Sequence, residues 1–404
     1  MEKMKPLMIK RILNRCLLTM MAILLGVGGF SQVWEELSSP PFPGRHHGIG
    51  FSEGGFGYVI SGSQTRDVWK YTPETDSWEQ LDDYSNIYRG FGIGDMVDGK
   101  EYFGFGFVEG PGQNGRADDL WVYDPATETA EQLADCPCQV RTHPAMVGFD
   151  DKVYMGLGSG SGGNLGDWWE YDIPSNTWSE KATFIGANRH HPYQFRIGEY
   201  IYVGSGHNPD WYRYEPAADL WTQIANHPSY VRVAGIQFSY EGKGYTLSGV
   251  ADYNGSDHES MPTGEFWEYD PTDDTWTEMP PHPGTSRWAS ASFIIDGWVY
   301  MVAGEVYDGN TSNYRYQLDD ATTGISDINS QQQLSLSPMP FVDRINLPTD
   351  RPWISAAIYD VRGSLVNTPV IHGNSLNVTS IPSGIYFLEL WDNEQVYRQR
   401  IVRE

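Results

Sequence analysis

The residues with the most chemical potential recur at one position of a repeating pattern. Arginine stands at 45, 89, 141, 189, 232 and 287, and histidines follow closely in Arg45-His46-His47, Arg141-Thr142-His143 and Arg189-His190-His191. Arg287 is followed by Trp288. A guanidinium group grips a carboxylate or sulfate through two parallel hydrogen bonds. Imidazoles gathered at one point can ligate a metal or exchange protons near neutral pH. An indole such as Trp288, or the ring of Tyr253, can stack on a sugar. Candidate ligand-binding residues are therefore Arg45, Arg89, Arg141, Arg189, Arg232, Arg287, His47, His191 and Trp288. The same pattern has an architectural use, in which the arginines pair with carboxylates or carbonyls between repeats and the histidines are hydrogen-bonded in the packing.

Other motifs fail on context. Gly158-Ser159-Gly160-Ser161-Gly162-Gly163 has the letters of a dinucleotide fingerprint but joins two strands and opens no helix. No phosphate loop, His-Glu-x-x-His zinc motif or Gly-x-Ser-x-Gly elbow is present. Cys136-Pro137-Cys138 can close a small ring or stay reduced, and it lacks the partners of a zinc site. No resident cofactor or metal is expected. The weakest allowance is for Ca²⁺ at acidic turns such as Asp270 to Asp274, which lack the ligand order of a calcium hand.

The elements that must position these residues also repeat. A Trp or Tyr is followed nine residues later by Trp at Trp69/Trp78, Trp169/Trp178, Tyr212/Trp221 and Trp267/Trp276, with Trp121/Ala130 a degenerate copy. A Tyr precedes each second position at Tyr71, Tyr123, Tyr171, Tyr214 and Tyr269. Each repeated arginine leads into an apolar strand, a turn such as Asp98-Gly99 or Asp296-Gly297, and a second strand ending in glycine, the last of them at Gly304. Six units of four short strands suit a β-propeller. On such a scaffold the loops between second and third strands share a face with the arginines, and they are long at Val108 to Ala117, Ser159 to Gly166, Val250 to Gly264 and Glu305 to Thr311. Long irregular loops on a rigid frame are the usual place for binding.

At these residues the chain resembles the kelch repeat family over positions 32–318. It departs from the usual double glycine at the end of the second strand, where Ser61-Gly62, Phe105-Gly106, Ser248-Gly249 and Ala303-Gly304 stand. The sixth unit lacks its outer strand, and Val33-Trp34-Glu35-Glu36-Leu37 resembles the missing piece, so the N-terminus is expected to complete that blade. The expected fold is all-β: a six-bladed kelch-type propeller closed by the N-terminal strand, plus a small C-terminal immunoglobulin-like β-sandwich. Bacterial six-bladed kelch proteins include sialic acid mutarotases, so the resemblance implies a sugar-acting enzyme as the alternative to a binding protein. A copper galactose oxidase is disfavoured, since that family uses seven blades and a Tyr crosslinked to Cys.

Residues 1–31 carry Lys3, Lys5, Lys10, Arg11 and Arg15 before an apolar run and then Gly29-Phe30-Ser31, which reads as a secretory signal peptide. Residues 319–334 are rich in Asp, Thr, Ser and Gln and read as a linker. Positions 335–404 hold alternating apolar runs. Ser337-Pro338-Met339-Pro340, Ile358-Tyr359-Asp360-Val361-Arg362-Gly363, Ile381-Pro382-Ser383-Gly384-Ile385-Tyr386-Phe387 and the basic ending resemble the C-terminal sorting domain of the type IX secretion system of Bacteroidota. That resemblance implies the secretion machinery as a partner and a secreted or surface-attached protein. A formal net charge of −26 excludes nucleic acid as a partner. No later segment is apolar for long enough to span a membrane. The leading expectation is a binding protein for a glycan or protein ligand on the long-loop face, with no catalytic group legible.

Overall fold

The structure, a computed structural model, describes residues 34–229, 231–253, 256–260, 263–304, 312–318, 336, 341–349, 352–360, 365–379, 381–391 and 396–403. The segments read as a signal peptide (1–31) and a linker (319–334), and the loop at 305–311, lie outside the described residues. Among those described, the chain is all β, with one short 3-10 turn at Pro73–Thr75.

Six four-stranded antiparallel sheets follow one another along the chain. The first holds Ile49–Glu53, Phe56–Ile60, Val68–Thr72 and Ser77–Leu81, and the second Ile93–Val97, Lys100–Gly104, Leu120–Asp124 and Thr129–Gln132. The third holds Ala145–Phe149, Lys152–Gly156, Trp168–Asp172 and Thr177–Lys181, and the fourth Tyr193–Ile197, Tyr200–Gly204, Trp211–Glu215 and Leu220–Ile224. The fifth holds Ile236–Tyr240, Lys243–Leu247, Gly264–Asp270 and Thr275–His282. The sixth has Ala291–Ile295, Trp298–Val302 and Asn313–Gln317, and its outer strand is Glu35–Leu37, with Glu36 opposite Tyr314.

Turn chemistry sets the strand lengths. Gly54-Gly55, Asp98-Gly99, Glu241-Gly242 and Asp296-Gly297 all have positive φ at both residues, the backbone of a tight hairpin whose twist matches its strands. Six apolar clusters sit between successive sheets. Ile49 and Phe51 meet Phe103 and Trp121, Tyr102 and Leu120 meet Met146 and Tyr171, and Val147 and Trp168 meet Val203 and Trp221. Phe195 and Trp211 meet Tyr269, Leu247 and Phe266 meet Met301 and Tyr316, and Phe293 and Val302 meet Val59 and Tyr71.

The recurring aromatics stitch these faces together. Tyr171, Tyr214 and Tyr269 each donate to a side chain five residues on, at Asn176, Asp219 and Asp274. Those side chains in turn accept the backbone N–H of Ala134, Ala182 and Ala225, just past the outer strand of the preceding sheet. Trp178, Trp221 and Trp276 donate their indole N–H groups to the carbonyls of the same three alanines.

The missing double glycine has a local explanation. Both residues of all six pairs are left-handed, with φ of 56 and 94° at Ser61-Gly62 and 60 and 91° at Leu157-Gly158. The first position is the ordinary left-handed well, which a side chain can occupy at modest cost. At the second, an added Cβ on Gly62 would lie 2.7 Å from the Gly48 nitrogen, so only glycine fits. These glycines also link the sheets: Gly62, Gly106, Gly158, Gly206 and Gly249 donate to the carbonyls of Arg89, Arg141, Arg189, Arg232 and Arg287, and Gly304 donates to that of Arg45.

Three of the long loops differ from the irregular course expected of them, the shortest pairing being Ser159–Gly160 with Gly163–Asn164. Phe107–Gly110 and Gln113–Arg116 form a hairpin that pairs with Tyr88–Gly90, and Val250–Tyr253 with Ser256–Ser260 forms one that pairs with Arg232–Val233. Gly112, with φ of 80°, permits the first of these turns. Cys136 and Cys138 are joined as a disulfide.

In the C-terminal region Leu365–Asn367, Ser355–Asp360, Gly384–Trp391 and Val396–Arg403 form a four-stranded sheet. Arg344–Asn346 and Ser375–Asn377 form a two-stranded one. Phe341, Ile345, Ile358, Leu376, Leu388 and Ile401 share a single core between them.

Candidate functional site

The six arginines are buried, all 4% exposed or less. Each donates to the carbonyl of the residue sixteen positions on, the first of the left-handed pair: Ser61, Phe105, Leu157, Ser205, Ser248 or Ala303. Five also hold a carboxylate, in the pairs Arg45–Asp67 at 2.7 Å, Arg89–Asp119 at 2.5 Å, Arg141–Asp167 at 2.6 Å, Arg189–Asp210 at 2.8 Å and Arg232–Glu265. The same carboxylates accept from Trp69, Trp121, Trp169, Tyr212 and Trp267. In the sixth sheet the matching position, two residues before Tyr314, is Ser312. These contacts hold the carboxyls of Asp67, Asp167, Asp210 and Glu265 below the ordinary range, against the upward push of burial. The guanidinium groups therefore face the interior of the fold.

The position two residues after each arginine is different. His47, Phe91, His143, His191, Ala234 and Ala289 all adopt the left-handed conformation, with φ between 50 and 58°. Their backbones are linked by hydrogen bonds from His47 to Ala289, Ala289 to Ala234, His191 to His143 and His143 to Phe91. Five of the six, all but Phe91, line a common cavity of about 460 Å³ to which the innermost strands of all six sheets contribute.

Three imidazoles converge there. One nitrogen from each of His47, His143 and His191 lies within 4.8 Å of the others, and the Nε2 atoms of His47 and His191 are 3.1 Å apart. His47 Nδ1 is 2.8 Å from His46 Nδ1. The rings of His143 and His191 are 3.6 Å apart, and Trp288 lies 4.7 Å from His46 and 4.8 Å from His47. Phe91 stacks on His46, and His190 packs against His207. Burial, then the neighbouring His143 and His46, hold His47 well below the usual imidazole range, so it is neutral at pH 7.

Two carboxyl groups of the second sheet line the same cavity, Asp95 and Glu101. Burial raises Asp95 to about 6, opposed by hydrogen bonds from the Gly148 and Met96 N–H groups. Burial and then Asp95 raise Glu101 well above the carboxylate range, and the residue is 1% exposed.

Of the residues singled out by sequence, the structure gathers His47, His191 and Trp288 and places the six arginines behind them in the scaffold. His143 completes the histidine group, and His46, Phe91, His190 and His207 surround it. Asp95 and Glu101 were not found by motif. Their signal is a break in the repeat, since Glu101 replaces Gly57, Val153, Ile201, Gly244 and Val299, while Asp95 replaces Phe51, Val147, Phe195, Phe238 and Phe293. The acidic turn considered for Ca²⁺ uses Asp270 to accept the Thr272 N–H and Asp274 to accept Tyr269 and Ala225.

Residues 335–404 match the secretion system C-terminal sorting domain, which indicates export by the type IX system to the cell surface or beyond. The chain is similar in fold to the solved structure of YjhT, with a TM-score of 0.58 and 13% identity, covering 69% of this chain and 95% of that one. No curated protein matches the chain. No helix among the described residues is long and apolar enough to cross a membrane.

Proposed function

We propose that this chain is a kelch-type propeller of six blades, closed by its N-terminal strand and followed by an immunoglobulin-like sorting domain, that binds a glycan or protein ligand over the axial cavity on its long-loop face. The observation that carries the reading is the convergence of His46, His47, Phe91, His143, His191 and Trp288 at one end of that cavity. These rings are half-buried except for His191, which is buried. Aromatic faces beside imidazoles suit a sugar, whose C–H faces stack and whose hydroxyls both donate and accept. The hydrogen bonds from Gly304 to Arg45 and the pairing of Glu35–Leu37 with Asn313–Gln317 support closure.

The test is thermal unfolding of the mature protein with a panel of acidic and neutral sugars, since a ligand that binds the folded state raises the midpoint. The reading expects a selective rise that disappears in His191→Asn and Trp288→Ala. A rise unchanged in both variants places the site elsewhere, and no rise with any sugar favours a protein ligand.

The alternative, a sugar-acting enzyme of the mutarotase type, draws its support from Asp95 and Glu101 rather than from the arginines. Anomer exchange needs one group to give a proton and another to take it, and Asp95, raised to about 6, is suited to that exchange near neutral pH. Accelerated anomer exchange of an acidic sugar by NMR, lost in Asp95→Asn, would establish it. No acceleration would leave binding as the function.

A further inference from the structure

We propose that His47, His143 and His191 form a binding site for a zinc-type divalent transition metal, with a fourth coordination position open to the axial cavity. The geometry carries this. Three imidazole nitrogens lie within 4.8 Å of one another, and one pair is already at 3.1 Å. A tetrahedral ion with metal–nitrogen bonds of about 2.0–2.1 Å holds its ligand atoms about 3.3 Å apart, so a small inward movement of His143 completes the set. Three imidazole nitrogen donors without a carboxylate select zinc, copper, nickel or cobalt over calcium or magnesium.

The surroundings are those of a ligand set. His47 presents Nε2 to the cluster while its Nδ1 meets His46 at 2.8 Å, the outer hydrogen bond that orients a metal-binding imidazole. The three ligands sit on the same left-handed kink in three different sheets, with φ of 54, 54 and 51°, so the scaffold fixes their approach. In the fifth and sixth sheets that position is Ala234 and Ala289, which line the same cavity and leave room for water or a ligand oxygen on the metal. The inference stands apart from the glycan reading: the site can hold metal whichever ligand the protein binds.

The test uses the mature full chain, purified without a histidine tag, stripped with chelator and titrated with Zn²⁺ by calorimetry and with Co²⁺ by visible absorption. Asparagine is the replacement of choice, because it tolerates the left-handed backbone that alanine would strain. The expected result is one Zn²⁺ per chain, a Co²⁺ spectrum of tetrahedral intensity, and loss of both in His47→Asn, His143→Asn and His191→Asn. His46→Ala should weaken binding about 10- to 100-fold without abolishing it. Unchanged circular dichroism in the variants separates lost ligands from lost fold. Absence of stoichiometric binding, or binding that survives all three substitutions together, overturns the proposal.

Discussion

Replacing either member of the Arg141–Asp167 pair tests whether the repeated arginines are scaffold or ligand groups. Arg141 is fully buried and makes four hydrogen bonds, two to the Asp167 carboxylate at 2.7 and 2.6 Å and one each to the carbonyls of Leu157 and Gln139 at 2.9 Å. The Asp167 side chain is 25% exposed and also accepts from Trp169. The two single substitutions are therefore unequal. Asp167→Ala leaves a cation with no access to water, which costs about 3–5 kcal/mol. Arg141→Met fills the space and leaves a carboxylate that can hydrate, so the cost falls to about 1–3 kcal/mol, chiefly from two orphaned carbonyls. The double variant should lose less than the sum, because the two groups interact directly. Urea titrations of the mature chain followed by tryptophan fluorescence measure these differences. The reasoning fails if Arg141→Met unfolds at the wild-type urea concentration yet abolishes a sugar-induced shift in the thermal midpoint.

Further expectations follow from the same repeat. Gly62→Ala should destabilise by more than about 2 kcal/mol, since its Cβ would meet the Gly48 nitrogen at 2.7 Å, whereas Ser61→Gly should change stability by less than about 1 kcal/mol; paired denaturation curves check both. Asp95 has a folded-state value raised from 3.8 to about 6, so it takes stability away as pH rises through that window, an effect of up to about 3 kcal/mol above pH 6, less because the side chain keeps some exposure. Burial and then Asp95 raise Glu101 well above the carboxylate range, so it too takes stability away as pH rises; Glu101→Val, which removes that buried carboxyl, should raise the thermal midpoint at pH 8, and an unchanged or lowered midpoint would sink that view. Tyr214→Phe should cost about 1–2 kcal/mol by releasing Asp219 from its bond to the tyrosine, read by the same titration. Deleting residues 335–404 should abolish appearance of the protein at the cell surface or in the medium, detected by fractionation.

The scaffold was legible because its signals are local and repeated. The Tyr and Trp spacings mark strands whose side chains bridge neighbouring sheets, and the Asp98-Gly99 and Asp296-Gly297 turns mark hairpins with positive φ at both residues. The N-terminal strand was legible from Trp34-Glu35-Glu36-Leu37, which pairs as the outer strand of the sixth sheet. The role of the arginines was not settled by sequence, because their carboxylate partners stand 21 to 33 residues away and the pairing depends on strand register. Spacing alone also did not single out the residue two places after each arginine, where a shared backbone kink gathers side chains as different as His47, Phe91 and Ala234. Asp95 and Glu101 lay hidden because no motif contains them, and only aligning the six units shows carboxyl groups where the others are apolar or glycine.

On the proposed reading, binding belongs to the axial mouth and not to the arginine pairs behind it. The most direct test is a carbohydrate array probed with the mature wild type, a His191→Asn/Trp288→Ala variant and the Arg141→Met variant at a temperature where all three are folded. Sugar binding is expected of the wild type and Arg141→Met and not of the mouth variant. Binding retained by the mouth variant and lost in Arg141→Met would contradict it.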